Sequence, residues 1–409
     1  MRTLVVAAAA ALALSACQDP AGVGLGLIDE EQSDPSVRVV ALTDFETFAF
    51  DAPAIGIADA GSVTNTAPQS RVLVGQVTDA EFGDARAVAY VDFLRPQIPD
   101  DVAAGNVREV WLEMVRSYTY GDTTATLPVS ISQIQGTWEA SQDYARDTLL
   151  ATGGVLSTTD VVQADSLVRF DLPASWVSQN AGALISSSFN DDFEGFALQA
   201  APGFAPAPGV VFGLSTFFGA GARLQLAYVG DQGEADTLSY ALSEVFSSIA
   251  SQPPAATGAT LPLRRGSGVA LRFTADLGAL SQIPLARGIL RLPLDPSLAQ
   301  VGTFVRPLAR QSALLGVRVV DGGEPAYTPL GTVTVDGNRA LLVETGTLTA
   351  QLQRLLLDPA GSGFDRYEVR PAIDPEFNPA SLDILPVRLP SLDASQSPRL
   401  TLTLVGAPA

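Results

Sequence analysis

Ala87-Val88-Ala89-Tyr90-Val91-Asp92-Phe93 carries apolar side chains at 87, 89, 91 and 93, one at every second position. Residues two apart share one face of a strand, whereas a helix gathers residues three and four apart, so this stretch reads as β. The same spacing recurs along the chain in short runs divided by Gly, Pro and Asp: Val110, Leu112 and Met114; Val129 and Ile131; Val168, Phe170 and Leu172; Phe196 and Leu198; Leu224, Leu226 and Tyr228. A second series follows, with Val269, Leu271 and Phe273; Leu290, Leu292 and Leu294; Leu315, Val317 and Val319; Leu341 and Val343; Tyr367 and Val369; and Leu400, Leu402 and Leu404. Strands without long helices between them imply antiparallel pairing, and two such sheets face to face bury the alternating side chains. The expected fold is all-β with a few short helices: two tandem antiparallel β-sandwich domains.

The two series run in parallel. Phe193-Glu194-Gly195-Phe196 matches Phe364-Asp365-Arg366-Tyr367, and Arg223-Leu224-Gln225-Leu226 matches Arg399-Leu400-Thr401-Leu402. Each series also holds one helix-like segment, from Pro173 to about Leu184 and, with Thr347 as its cap, over Leu348, Leu352, Leu355 and Leu356. Alternation alone is shared by unrelated sandwiches, so the local matches carry the idea of a repeat. The sequence divides into residues 37–232 and 258–406 as the two units. Residues 233–257 form a connector rich in Ser, Ala and Pro, in which 236–249 reads either as a short helix or as an edge strand of one unit.

Ahead of these units lies a segment of another kind. Arg2 precedes an apolar run, Leu4 to Leu14, too short to span a bilayer and followed by small residues, as in an export signal. Leu14-Ser15-Ala16-Cys17 resembles the lipobox of bacterial lipoproteins. That resemblance implies a signal peptide over 1–16, lipidation of the Cys17 sulfur and acylation of the new amino terminus. The alternative is an ordinary signal peptide cut near Ala11-Leu12-Ala13, which leaves Cys17, the sole cysteine, as an unpaired thiol. Gln18 after the cysteine favours the outer membrane by the sorting rule of that class, on the periplasmic side or at the cell surface. Residues 17–36, with Gly22, Gly24, Gly26 and several acids, read as a flexible tether reaching about 20–25 Å.

Composition narrows the chemistry. All 24 basic residues are arginine, against 44 Asp and Glu, and the net charge is −20. Such a chain repels phosphate backbones, so nucleic acid is not an expected partner. Without histidine there is no Ser-His-Asp or Cys-His set and no imidazole metal site, and without lysine there is no Schiff base. No phosphate-binding loop is present, and no cofactor is expected. What remains is a pair of carboxylates acting on glycan, for which no spacing singles out two residues.

Two stretches are candidate ligand sites. Asp191-Asp192-x-Glu194 is the densest acidic run inside a unit and could hold structural calcium, or serve as a polar turn before the Phe196 strand. Tyr118 and Tyr120 point the same way along a strand. They could stack on sugar rings, or cover the end of a sheet. Trp111, Trp138 and Trp176 sit beside patterned elements and read as packing residues.

Ser166-Leu167-Val168-Arg169-Phe170-Asp171-Leu172-Pro173-Ala174-Ser175-Trp176-Val177, followed by Phe193-Glu194-Gly195-Phe196-Ala197-Leu198, resembles the DNRLRE-type domain of surface proteins, although the motif that names that domain is absent. The likeness implies jelly-roll sandwiches akin to carbohydrate-binding modules. Val74-Gly75-Gln76 with Thr78 to Ala87, and Gly266-Ser267-Gly268-Val269 with Gly288 to Pro293, resemble a lipoprotein family of Gram-negative bacteria with which no activity comes. Together these features predict a lipid-anchored envelope protein with a binding or structural role toward polysaccharide or another envelope protein. The alternatives are a carboxylate-pair enzyme acting on glycan and an accessory subunit of an export or adhesion assembly.

Overall fold

A computed structural model describes residues 36–50, 55–58, 71–140, 142, 144–205, 207–216, 222–252, 260–318, 325–336, 340–358, 364, 366–371, 380–391 and 396–405. The signal segment 1–16, Cys17 and the tether as far as residue 35 lie outside the described residues. The protein is all-β with short helices, as its alternation requires. In chain order the strands are β1 (Ser36–Ala49), β2 (Ile55–Ala58), β3 (Arg71–Val77), β4 (Ala85–Leu94), β5 (Val107–Asp122), β6 (Leu127–Ile134), β7 (Thr152–Val161) and β8 (Leu167–Asp171). Next come β9 (Phe196–Ala200), β10 (Gly209–Ser215), β11 (Arg223–Val229), β12 (Ala235–Ser251), β13 (Thr260–Arg264), β14 (Val269–Ala275) and β15 (Leu285–Pro293). The chain closes with β16 (Gln300–Val301), β17 (Phe304–Val305), β18 (Gln311–Arg318), β19 (Ala326–Asp336), β20 (Ala340–Val343), β21 (Arg366–Pro371), β22 (Ile384–Arg388) and β23 (Arg399–Leu404).

Both units use one pairing order. In the first, β4 lies between β9 and β12, β9 continues to β6 and then β7, and β11 lies between β5 and β12. In the second, β14 lies between β21 and β1, β21 continues to β18 and then β19, and β23 lies between β15 and β1. A helix follows β8 in one unit (Ala174–Ile185) and β20 in the other (Gly346–Leu357). The second unit closes fully, because β19 passes from β18 to β20 and completes a ring of eight strands. Its two sheets face each other across the core and are joined at both edges by strands that change sheet, β1 and β19.

This order corrects the division read from sequence. The strand that completes the second unit is β1, from the start of the chain, although the sequence places residues 37–232 in the first unit. Leu42 and the residues after it pair with β14, and Ser36 to Ala41 pair with β23. Its counterpart is β12, which occupies most of the expected connector and pairs on both sides, with β11 and with β4. Each of these two strands changes neighbour at an Ala-Leu step, Ala41-Leu42 or Ala241-Leu242, with a bulge just beyond. A bulge raises local twist and lets one strand serve two sheets. The signal was present: Ala41-Leu42-Thr43-Asp44 parallels Ala241-Leu242-Ser243-Glu244.

Two details differ from the sequence reading. The cap of the second helix is Thr345, not Thr347: its Oγ1 accepts from the Leu348 N–H at 3.0 Å. In β18 the fully buried leucine is Leu314, not Leu315, because the inward face of this strand falls on Ser312, Leu314 and Gly316. Gly316 follows, and a Cβ there would meet the Phe364 ring at 2.6 Å, so the missing side chain makes room for that phenylalanine. Each unit has its own apolar core, the first around Phe170, Phe196 and Leu224, the second around Leu292, Phe273 and Leu402.

Candidate functional site: the joint and an arginine-lined pocket

Tyr118 and Tyr120, the sequence candidates for sugar stacking, are 8% and 0% exposed. This corrects that expectation: neither ring face is open to a ligand. They leave β5 on the side where the second unit packs and belong to a third apolar cluster drawn from both units, with Leu73, Val77, Phe82, Leu382 and Ile384. The Leu382 N–H donates to the Tyr118 hydroxyl at 3.0 Å, and the Tyr120 hydroxyl donates to Asp79 Oδ2 at 2.5 Å. Burial pushes both phenols above their ordinary range.

Asp79 stands at the centre of this joint. Arg306, from the second unit, donates through Nε to Oδ2 at 2.8 Å and through Nη2 to Oδ1 at 2.9 Å, a two-pronged pairing of a planar fork with a carboxylate. Burial alone would raise the Asp79 carboxyl, but the bonds from Arg306 and Tyr120 outweigh it and hold the group below the usual carboxylate range. The edge of Tyr120 meets the Phe304 ring, and β17 pairs with the end of β5, so backbone bonds cross the joint as well. Arg264, 1% exposed, reaches from β13 to the Gly83 and Asp84 carbonyls at 2.6 and 2.9 Å and to Ser251 Oγ at 2.5 Å. A desolvated, hydrogen-bonded set of this kind fixes two bodies in one relation and excludes ligand.

The other candidates have local structural roles. Asp191 and Asp192 end a short helix, Phe189–Asp192, and the Ser188 hydroxyl donates to Asp192 at 2.5 Å. Among the described residues no group of three or more His, Cys, Asp or Glu is placed to hold a metal ion. Trp138 and Trp176 are buried and donate to the Glu194 carbonyl and to Gln133 Oε1. Trp111 is half-buried, with the Arg169 guanidinium 4.0 Å above its ring. Asp92 is a different case. Burial, together with the nearby Glu194 and Glu244, pushes its carboxyl up to about 7, against bonds from the Phe93 N–H and Ser243.

An open pocket of about 570 Å³ lies in the second unit, away from these residues. Arg291 and Pro293 of β15, Leu294, Pro296, Arg388 of β22, Gln396 and Arg399 of β23 line it. Arg291 and Arg399 stand directly opposite each other in the β15–β23 pairing. Arg388 donates to the Gln396 side chain and forms an ion pair with Asp295 at 3.3 Å, while its buried Nε has no partner. Asp295 in turn caps the turn Pro296–Ala299 by accepting from the Ser297 N–H. Burial would raise its carboxyl, and the bonds from Ser297 and the charge of Arg388 bring it below the ordinary range. Sequence reasoning missed this pocket, since residues 291, 388 and 399 share no local motif.

These features define a two-unit all-β protein with a buried polar joint and, among its described residues, an arginine-lined pocket. No protein-family model matches the sequence, and a comparison with characterised proteins gives no match.

Proposed function

We propose that this protein is a lipid-anchored lipoprotein of the bacterial envelope with a non-catalytic binding role toward an envelope glycan or protein. The observation that carries the reading is Leu14-Ser15-Ala16-Cys17 after an apolar run too short to span a bilayer. In this reading the anchor is lipid on Cys17, and no described helix is long and apolar enough to cross a membrane. The absence of His and Lys from the sequence, and an all-β scaffold with an arginine-lined pocket, support binding over catalysis. Growth with an alkyne-tagged fatty acid should label the native chain in the membrane fraction. Cys17→Ser should lose the label and leave that fraction, and a membrane-bound, unlabelled native chain would refute the anchor.

A second reading, a carboxylate-pair enzyme acting on glycan, is favoured by Asp92, whose carboxyl near 7 suits a general acid. Polysaccharide cleavage that disappears in Asp92→Asn would establish it.

A further inference from the structure

We propose that the loop between β6 and β7, residues 136–150, is a strap that seals an aromatic patch on the outer face of the first unit in acid and lets go of it toward neutral pH. The latch is the group of carboxylates beneath the strap: Asp92, Glu194 and Glu244. This goes beyond the binding reading above and does not depend on it.

The strap is closed at its base, where the Gln135 N–H donates to the Ala151 carbonyl at 2.8 Å. Ends that meet and side chains that pack beneath are the form of an Ω-loop. Ala89, Val91 and Phe93 of β4 face the main core of the unit, so alternation turns Val88, Tyr90 and Asp92 to the opposite side. There the Tyr144 ring stacks on Phe246 of β12 at 4.7 Å and 4°, and the edge of Trp138 meets Phe246 at 5.4 Å. Tyr90 stacks on the same phenylalanine at 4.7 Å. With Val88, Ile134, Ala140 and Ala197 these rings make an apolar cluster separate from the main core.

Two bonds near the start of the strap hold it down. Trp138 Nε1 donates to the Glu194 carbonyl at 2.8 Å, and the Ala140 N–H donates to Glu244 Oε2 at 2.6 Å. Glu194 and Glu244 are also the two residues whose charge bears on Asp92. Gly195, with φ +79°, brings Glu194 close: a Cβ there would meet the Val91 carbonyl at 2.0 Å, so only bare backbone lets this turn press on β4. Each neighbour of Asp92 contributes. From β12 come Glu244 and Ser243, which donates to Oδ2 at 3.2 Å; from the turn before β9 comes Glu194; from its own strand comes the Phe93 N–H. No guanidinium is among these groups, and Asp92 Oδ1 is buried without a hydrogen bond among the described residues. Farther along, the Ile249 N–H donates to the Arg146 carbonyl at 2.6 Å and the Leu150 N–H to the Tyr90 hydroxyl at 3.1 Å. Neither bond involves a carboxylate, so release begins at Trp138 and Ala140.

The sign follows from burial. Burial first, then the two glutamates, keep the proton on Asp92 up to about 7 while the strap is closed. Lifting the strap admits water and returns the carboxyl toward its ordinary value of 3.8. The closed form therefore binds the proton more tightly, so opening grows easier as pH rises from about 4 to about 7 and levels off above that. In acid Tyr90 and Phe246 are sealed; near neutrality they become reachable as an apolar aromatic surface.

The test is hydrogen–deuterium exchange of the full chain in a non-ionic detergent from pH 5 to pH 8, with each rate divided by the intrinsic rate at that pH. Protection of the strap amides should fall about tenfold or more between pH 5 and pH 7, at no more than about tenfold per unit, and flatten above. It should stay well below the protection of the β5 amides, because a strap opens without unfolding the core. Asp92→Asn and Asp92→Ala each remove the titrating carboxyl. Either one, once melting curves show it folded, should give strap protection that does not change with pH. The proposal is overturned if the parent's strap protection is flat from pH 5 to pH 7, or if a folded Asp92 variant keeps the parent's slope. It is overturned as well if the strap amides exchange no faster than those of β5, since the loop would then move only when the whole protein unfolds. These readouts need no ligand, so the outcome stands apart from the binding reading.

Discussion

Arg306 and Arg388 belong to the same unit, and each meets an aspartate, yet their surroundings differ in kind. At the joint, one guanidinium gives two bonds to one carboxylate, a phenol completes the set, and both ionic side chains are buried. At the pocket, Arg388 is 35% exposed and shares Asp295 with Ser297. Matched charge shut away from solvent holds two bodies together. A half-exposed pair is screened by water and holds its neighbours far less firmly.

The sharpest way to break the joint is Asp79→Ala, which leaves Arg306 buried without its carboxylate. Removing one partner of a buried pair costs about 3–5 kcal/mol, so urea unfolding followed by tryptophan fluorescence should shift by that amount. Replacing both members with Asp79→Leu and Arg306→Met should restore much of the loss. A shift under about 1 kcal/mol in the single variant would mean that the joint does not close in solution.

Asp92 sets a buried aspartate without a cation against Asp79, and the two give opposite pH slopes. The folded Asp79 carboxyl lies below its ordinary value. Its contribution is therefore complete above the ordinary carboxylate range and is lost as pH falls through the lowered value. Asp92 is raised from 3.8 to about 7, so the folded state holds a proton that the unfolded state has released. Stability then falls as pH rises from about 4 to about 7, by about 1.4 kcal/mol per unit at most. Asp92→Asn should match the parent near pH 4 and exceed it by roughly 2–4 kcal/mol at pH 8. Parallel stability curves for parent and variant would remove the basis for the raised carboxyl.

Tyr118→Phe removes a hydroxyl of the same joint that accepts from the Leu382 N–H and also bonds the Asp383 carboxyl. It leaves the Leu382 N–H without its acceptor and should cost about 1–3 kcal/mol, read from the same unfolding curves.

Much of the architecture was legible. Periodicity at 87–93, 110–114, 168–172, 196–198 and 224–228 corresponds to β4, β5, β8, β9 and β11, because a half-buried strand must alternate. Helix placement was legible from Pro173 and the Leu348-Leu352-Leu356 face, with the cap misplaced by two residues because Thr345 and Thr347 are equally good caps in sequence. The role of Tyr118 and Tyr120 was half legible. Their common face was readable, but what that face meets lies more than 180 residues further on, at Phe304 and Leu382.

By itself the sequence determined the class of fold, most strand positions and the residue types missing from the chain, since each depends on neighbours a few residues apart or on composition. Tertiary structure alone decided that the opening strand completes the far unit, that two tyrosines are sealed between units, and that three arginines line one pocket. The physical reason is that each of these joins residues distant in the chain. Strand pairing and charge proximity act through space, and a one-dimensional pattern carries no record of which distant partner is met.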